Sequence, residues 1–148
     1  MKPITNREAR SKYEFLDSWD AGLLLQGAEV KAIKLGKMNL KGAYIGIENN
    51  ELWLKNAHVS AYQKINQPHY DPERPRKLLL QKKEIHSIIG KLQQAGLTLI
   101  PEKVYSKSGL LKIQISLGRG LKKHDKRERI KKREDKRHMQ RALKQAMR

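Results

Sequence analysis

The chain has 148 residues, room for one domain and an appendage, and its 33 Lys and Arg against 15 Asp and Glu give a formal net charge of +18. It contains no cysteine, which excludes a disulfide framework and a thiolate metal site, and its apolar runs fall far short of the ~20 residues a membrane span needs. So large a positive balance calls for an acidic partner, and nucleic acid is the usual one.

The charge divides the chain into two parts. Residues 118–148 hold 14 Lys or Arg against 4 Asp or Glu, a net of +10, which leaves +8 for residues 1–117. The expected organisation is a folded body over 1–117 and a basic tail over 118–148. Met1-Lys2-Pro3-Ile4 lacks the apolar core of a signal peptide, so a cytoplasmic protein with no membrane partner is expected.

Residues 12–25 read as extended, with Tyr13, Phe15, Leu16, Trp19, Leu23 and Leu25 as packing residues and Gly22 at a bend. From Gly27 the period lengthens, and Val30, Ile33 and Lys34 fall at helical spacing up to Gly36, which predicts a short helix over 28–35. Residues 43–48 and 51–59 predict a β-hairpin about Asn49-Asn50, since Asn tolerates left-handed backbone angles. Residues 64–76 carry Pro68, Pro72 and Pro75 and predict a loop. Ile85, Ile88, Ile89, Leu92 and Ala95 then mark a helix stopped by Gly96. Strands over 97–105 and 110–117 follow, turning at Ser108-Gly109. Five or six strands with short connections and two or three helices predict a mainly β fold: a small antiparallel β-barrel of oligonucleotide-binding type flanked by helices, closure removing exposed edges.

The tail has few large apolar residues, but Met139, Leu143 and Met147 fall at i, i+4, i+8, and helix-favouring residues fill most of the rest. Repulsion among its cations should keep the free segment from holding a helix, and phosphates would relieve it. A tail that is disordered when free and helical on contact with RNA is expected.

Nothing in the chain predicts catalysis. His58, His69, His86, His124 and His138 pair with no His or carboxylate at a recognised metal spacing, and Gly118-Arg119-Gly120 precedes a basic run and not a βαβ unit. No enzyme activity, metal or cofactor is expected. Lys31, Lys34 and Lys37 cluster at i, i+3, i+6, and Arg74, Arg76 and Lys77 cluster in the proline-stiffened loop. With aromatics at 5% of the chain, a protein that grips a folded RNA by backbone and shape fits better than one that stacks on single strands.

The run Ala21-Gly22-Leu23-Leu24-Leu25-Gln26-Gly27-Ala28-Glu29-Val30-Lys31 resembles the hallmark of small protein B, the SsrA-binding (transfer-messenger-RNA-binding) family of bacterial trans-translation. Asn6-Arg7-Glu8-Ala9-Arg10, Gly36-Lys37-Met38-Asn39-Leu40, Arg74-Pro75-Arg76-Lys77-Leu78-Leu79-Leu80 and His124-Asp125-Lys126-Arg127 are similar to further family motifs, in register over nearly the whole chain. Ala28 and His124 depart from the Thr and Tyr common in the family at those places.

The resemblance implies an RNA-binding factor with no catalysis or cofactor of its own, a monomer. The family escorts transfer-messenger RNA to stalled ribosomes, and works indirectly with elongation factor Tu and alanyl-tRNA synthetase through that RNA. It implies that Asn6, Arg7, Tyr13, Asp20, Glu29, Lys31, Lys34, Lys37, Arg74, Arg76 and Lys77 hold the tRNA-like domain. It implies that the tail enters the 16S rRNA decoding centre and the empty messenger channel through Gly118, Lys122, Lys123, His124, Asp125, Lys126, Arg127, Lys131, Lys132, Arg133, Lys136 and Arg137. Glu29 is odd on an RNA face: it either accepts from a base edge or sugar hydroxyl, orients a neighbouring cation, or serves only as a helix-start carboxylate. The alternative function is a structural ribosomal protein with an rRNA-penetrating tail.

Overall fold

The computed structural model describes residues 1–94, 96–121 and 123–147, with the backbone alone for 123–126. In chain order the elements are β1 (Ile4–Thr5), α1 (Arg7–Lys12), β2 (Tyr13–Leu23), α2 (Gly27–Lys34), β3 (Met38–Asn39), β4 (Tyr44–Glu48), β5 (Glu51–Lys55) and β6 (His58–Val59). A single 3-10 turn at Lys64–Asn66 follows, then β7 (Arg76–Leu79), α3 (Lys82–Leu92), β8 (Leu97–Lys107), β9 (Leu110–Gly120) and α4 (Lys123–Ala146).

Seven strands form one antiparallel sheet in the order β1-β8-β9-β2-β7-β5-β4, and β3 pairs with β6 beside it. The sheet curls until β4 packs against β8, which gives the mainly β, barrel-like body with flanking helices that the sequence predicts. Alternation explains β9: Leu111, Ile113, Ile115 and Leu117 are buried while Lys112 and Gln114 are half-exposed. Leu52, Leu54, Leu99 and Val104 join them in the core, each contributing about 1.5–3 kcal/mol relative to an exposed side chain. Ala32 and Ile33 of α2 and Ile88 of α3 seal that core from outside the sheet.

Both α2 and α3 open with the same device. Gln26 and Gln81 are their N-caps, and Glu29 and Glu84 reach back to the cap backbone N–H at 3.0 and 3.4 Å. The hairpin turn forms as expected, with Asn49 and Asn50 at φ 51° and 60°.

Other expectations need correcting. The strand expected over 51–59 breaks after Lys55, because Asn56 takes a left-handed φ of 61° and re-aims the chain into β6. The loop expected over 64–76 gives way to β7, whose first residue is Arg76. The extended stretch expected from Lys12 begins one residue later, at Tyr13, and residues 7–12, to which the sequence assigns no element before Lys12, form α1, capped by Asn6: its Oδ1 accepts from the Ala9 N–H at 3.2 Å. Pro101 lies inside β8, and the register slips between it and Lys103. The Glu102 carbonyl there accepts from the Asn6 N–H at 2.8 Å. Ala95, read as the last apolar residue of the α3 pattern, lies outside the described residues.

Candidate nucleic-acid interface

Glu29 is the centre of the site. As the third residue of α2 it is 1% exposed, and Arg76, entering β7, is 0% exposed. Arg76 Nε donates to Glu29 Oε2 at 2.7 Å, Nη1 to the Ala57 carbonyl at 2.8 Å, and Nη2 to the Pro72 carbonyl at 3.0 Å. Nη2 also donates to the Tyr70 hydroxyl at 3.0 Å, and that hydroxyl donates to the Val59 carbonyl at 2.9 Å, with Glu29 Oε2 3.2 Å away. Arg74 Nη2 closes the network on Glu29 Oε1. One buried carboxylate therefore ties the start of α2, the β5–β6 connection and the proline loop together.

Burial alone pushes the Glu29 carboxyl up. Hydrogen bonds from Arg74, the Gln26 backbone and Arg76, with the Arg76 charge, outweigh it and hold the group below its ordinary value. Glu29 thus orients neighbouring cations and caps a helix at once, two of the three readings open in the sequence.

The remaining expected residues divide by exposure. Lys31, Lys34 and Lys37 are exposed along one side of α2 and the turn after it, and Lys31 Nζ stands 5.6 Å from the centre of the Tyr62 ring. Arg7 is exposed at the start of α1 and lines a cleft of about 440 Å³ with Thr5, Asn39 and Lys41. Lys77 is half-buried and pairs with Glu51 at 2.9 Å, while Tyr13 is half-buried at the start of β2.

Asp20 belongs to a different cluster. It accepts from the Tyr105 hydroxyl at 2.6 Å, and Lys103 Nζ lies 5.4 Å from the centre of that ring. The hydrogen bond to Asp20, then burial and the Asp20 charge, push the Tyr105 phenol up to about 12. Its favourable contribution is complete below the usual phenol pKa of 10.0 and fades as pH rises toward 12. An ultraviolet titration should show one tyrosine ionising near 12, and Asp20→Asn should return it toward 10.0.

Direct contact with RNA does not fit Asn6, Glu29 and Arg76, because burial removes all three from the surface. They hold α1 and the loop in place from beneath. Gly118 is a barrel residue and not a tail residue: it pairs with Phe15, and a Cβ there would meet Tyr13 Cβ at 3.3 Å. Among the tail residues, Arg127, Lys131, Lys132, Arg133, Lys136 and Arg137 are exposed on α4. Lys122 and the side chains of Lys123, His124, Asp125 and Lys126 lie outside the described residues.

Tyr70 and Tyr62 fall at no helical or strand spacing that marks them as site residues in the sequence. An aromatic residue in a proline-rich loop is a signal that the loop is anchored, and His69-Tyr70-Asp71-Pro72 carries it.

The family profile described as SmpB protein matches residues 3–145 of the chain. The chain belongs to the SmpB family. Relatives within the family include the SsrA-binding protein of Thermosynechococcus vestitus, 50% identical over 141 residues that cover 95% of this chain and 93% of that one. The SsrA-binding protein of Shouchella clausii is 46% identical over 143 residues, covering 97% and 92%. Among solved structures, a chain from "tmRNA-SmpB: a journey to the center of the bacterial ribosome" superposes with a TM-score of 0.68 at 39% identity, covering 86% of this chain and 94% of that one. SmpB membership covers body and tail together. Among the described residues of this SmpB-family chain no helix is long and apolar enough to cross a membrane.

Proposed function

We propose that this protein binds transfer-messenger RNA and brings it to stalled ribosomes, as a cytoplasmic RNA-binding factor with no catalysis of its own. The observation that carries this is the exposed row Lys31, Lys34 and Lys37 beside a loop pinned through Glu29, in a chain whose relatives are SsrA-binding proteins. The body grips the tRNA-like domain with Arg7, Lys31, Lys34, Lys37 and Arg74, on a surface whose shape Glu29, Arg76 and Asn6 maintain. The tail carries Arg127, Lys131, Lys132, Arg133, Lys136 and Arg137 into the decoding centre and the empty messenger channel. There it stands in for the missing codon–anticodon pairing.

Pull-down of the full chain followed by sequencing of the bound RNA should recover transfer-messenger RNA. Recovery of ribosomal RNA alone, at one copy per subunit under all conditions, would favour a structural ribosomal protein instead. If the body neutralises about five phosphates, log affinity should fall with log salt at a slope of roughly −3.5 to −4.5. A flat dependence would rule out a backbone grip.

Cut from the body, the tail should hold little helix in dilute buffer, because 14 cations crowd 31 residues of the segment 118–148. Circular dichroism of that peptide checks this, and RNA phosphate should raise its helix content.

A further inference from the structure

The loop between β6 and β7 contains the 3-10 turn Lys64–Asn66. Its root is tied to the body. The Val59 N–H bonds to the Pro72 carbonyl at 3.0 Å and the Ser60 N–H to the Lys37 carbonyl at 3.1 Å. Tyr62 packs against the core and carries the Lys31 ammonium over its ring. The turn then braces itself. The Asn66 and Gln67 N–H groups donate to the Gln63 and Lys64 carbonyls at 3.1 and 3.3 Å. The Gln63 N–H donates to Gln67 Oε1 at 3.2 Å, and Asn66 Nδ2 donates to Gln63 Oε1 at 2.6 Å.

Ile65 stands out on this frame. It is 93% exposed, more than any other large apolar residue among the described ones. A turn ordinarily gives its polar side chains to water and keeps its apolar ones covered. Here Gln63, Asn66 and Gln67 use their side chains to close the turn, and the apolar residue is left in solvent.

We propose that Ile65 contacts the RNA, packing on the face of an unstacked base beside the cations of α2. This deepens the proposed function and rests on it. Two observations choose RNA as the occupant. The loop is rooted at Lys37 and Tyr62, so Ile65 is presented from the row Lys31, Lys34 and Lys37. Residues 52–70 hold Lys55 and Lys64 and no Asp or Glu, so the limb that carries Ile65 favours an acidic partner.

The side chain then chooses the part of the RNA. Isoleucine has no donor, acceptor or charge to offer a phosphate or a hydroxyl. The apolar surfaces of RNA are its base faces. A duplex hides them by stacking, and loops, bulges and ends expose them. The lysines supply the grip, and Ile65 supplies a preference for folded RNA with an open base over plain duplex.

Affinity of the full chain for transfer-messenger RNA, measured across salt concentrations, tests this. Ile65→Ser should weaken binding about tenfold, the effect of leaving one isoleucine uncovered. The salt slope should stay the same, because an apolar contact releases no counterions. Ile65→Leu should keep most of the affinity. Lys31→Ala should also weaken binding, but with a slope shallower by about 0.7–0.9. A long RNA duplex without loops should bind the parent and Ile65→Ser alike. Thermal melts of the two proteins should coincide, since so exposed a side chain adds nothing to the core.

Unchanged affinity of Ile65→Ser, a changed salt slope, an equal loss on the duplex or a lowered melting temperature would each overturn the contact. A parent that binds no transfer-messenger RNA would overturn the RNA-binding reading and the contact with it, so the two failures are distinguishable.

Discussion

Replacing Arg76 by alanine should lower the unfolding free energy by about 3–5 kcal/mol, because removing one partner of a buried ion pair strands the other charge. Arg76 is the hub of four attachments: Glu29, the Ala57 carbonyl, the Tyr70 hydroxyl and the Pro72 carbonyl. Lysine cannot replace it, since one ammonium cannot reach partners spread around a planar fork. Urea or thermal melts measure the loss, and a change within about 1 kcal/mol would mean that the network is not closed as described.

The pH dependence has a definite sign. The folded carboxyl of Glu29 sits below its unfolded value of 4.5, so its contribution is present above 4.5 and disappears as pH falls through the folded value. Arg76→Ala removes one of the groups that hold it down, so acid unfolding should begin at higher pH in the variant.

A paired change to Glu29→Leu and Arg76→Met separates stability from positioning. Burying apolar groups in place of an ion pair is often neutral or stabilising, so this variant should recover most of the lost free energy. With the anchors of the proline loop gone, it should still bind RNA poorly. Recovery of both properties together would show that the loop needs no anchoring.

Removing residues 122–148 should leave the affinity for transfer-messenger RNA close to that of the full chain and abolish peptide tagging on stalled ribosomes. The cut belongs after Leu121 and not before Gly118. Gly118, Arg119 and Gly120 pair with Phe15, Glu14 and Tyr13, and the Leu121 N–H bonds to the Lys12 carbonyl. An earlier cut would strip that ladder, expose the C-terminal end of α1 at Lys12, and confuse a folding defect with a lost ribosome contact. The salt slope of the truncated chain should match that of the full chain, because the phosphates counted in it belong to the body. A tenfold loss of affinity, about 1.4 kcal/mol, would place part of the RNA grip in the tail and end the division of labour.

Much of the architecture was legible in local pattern. The change of period at Gly27, the Asn49-Asn50 turn and the i, i+3, i+4, i+7 spacing of Ile85, Ile88, Ile89 and Leu92 each became the expected element. β7 was hidden because Arg76-Lys77-Leu78-Leu79 opens on a buried arginine, and a charge at a strand's inward position breaks the alternation that reveals strands. β1 has two residues and α1 six, too few for any period to register.

The site divides in the same way. Lys31, Lys34 and Lys37 could be read together because helical spacing alone unites them. The Glu29–Arg76 bond crosses 47 positions, and no spacing rule reaches that far. Burial then reversed the meaning of Arg76, since a cation in a basic motif looks like a ligand for phosphate until its surroundings are known.

The double duty of Glu29 has a consequence for local opening. Its Oε1 accepts both the Gln26 N–H, at 3.0 Å, and the Arg74 guanidinium, so the first turn of α2 and the proline loop share one acceptor. If the loop lifts, the cap loosens with it, at a cost of about 1 kcal/mol to the helix start. The two segments therefore form one cooperative unit, although 40 or more positions separate Tyr70 and Arg74 from Glu29. Anything that grips the loop will slow amide exchange in the first turn of α2, at backbone groups it never touches.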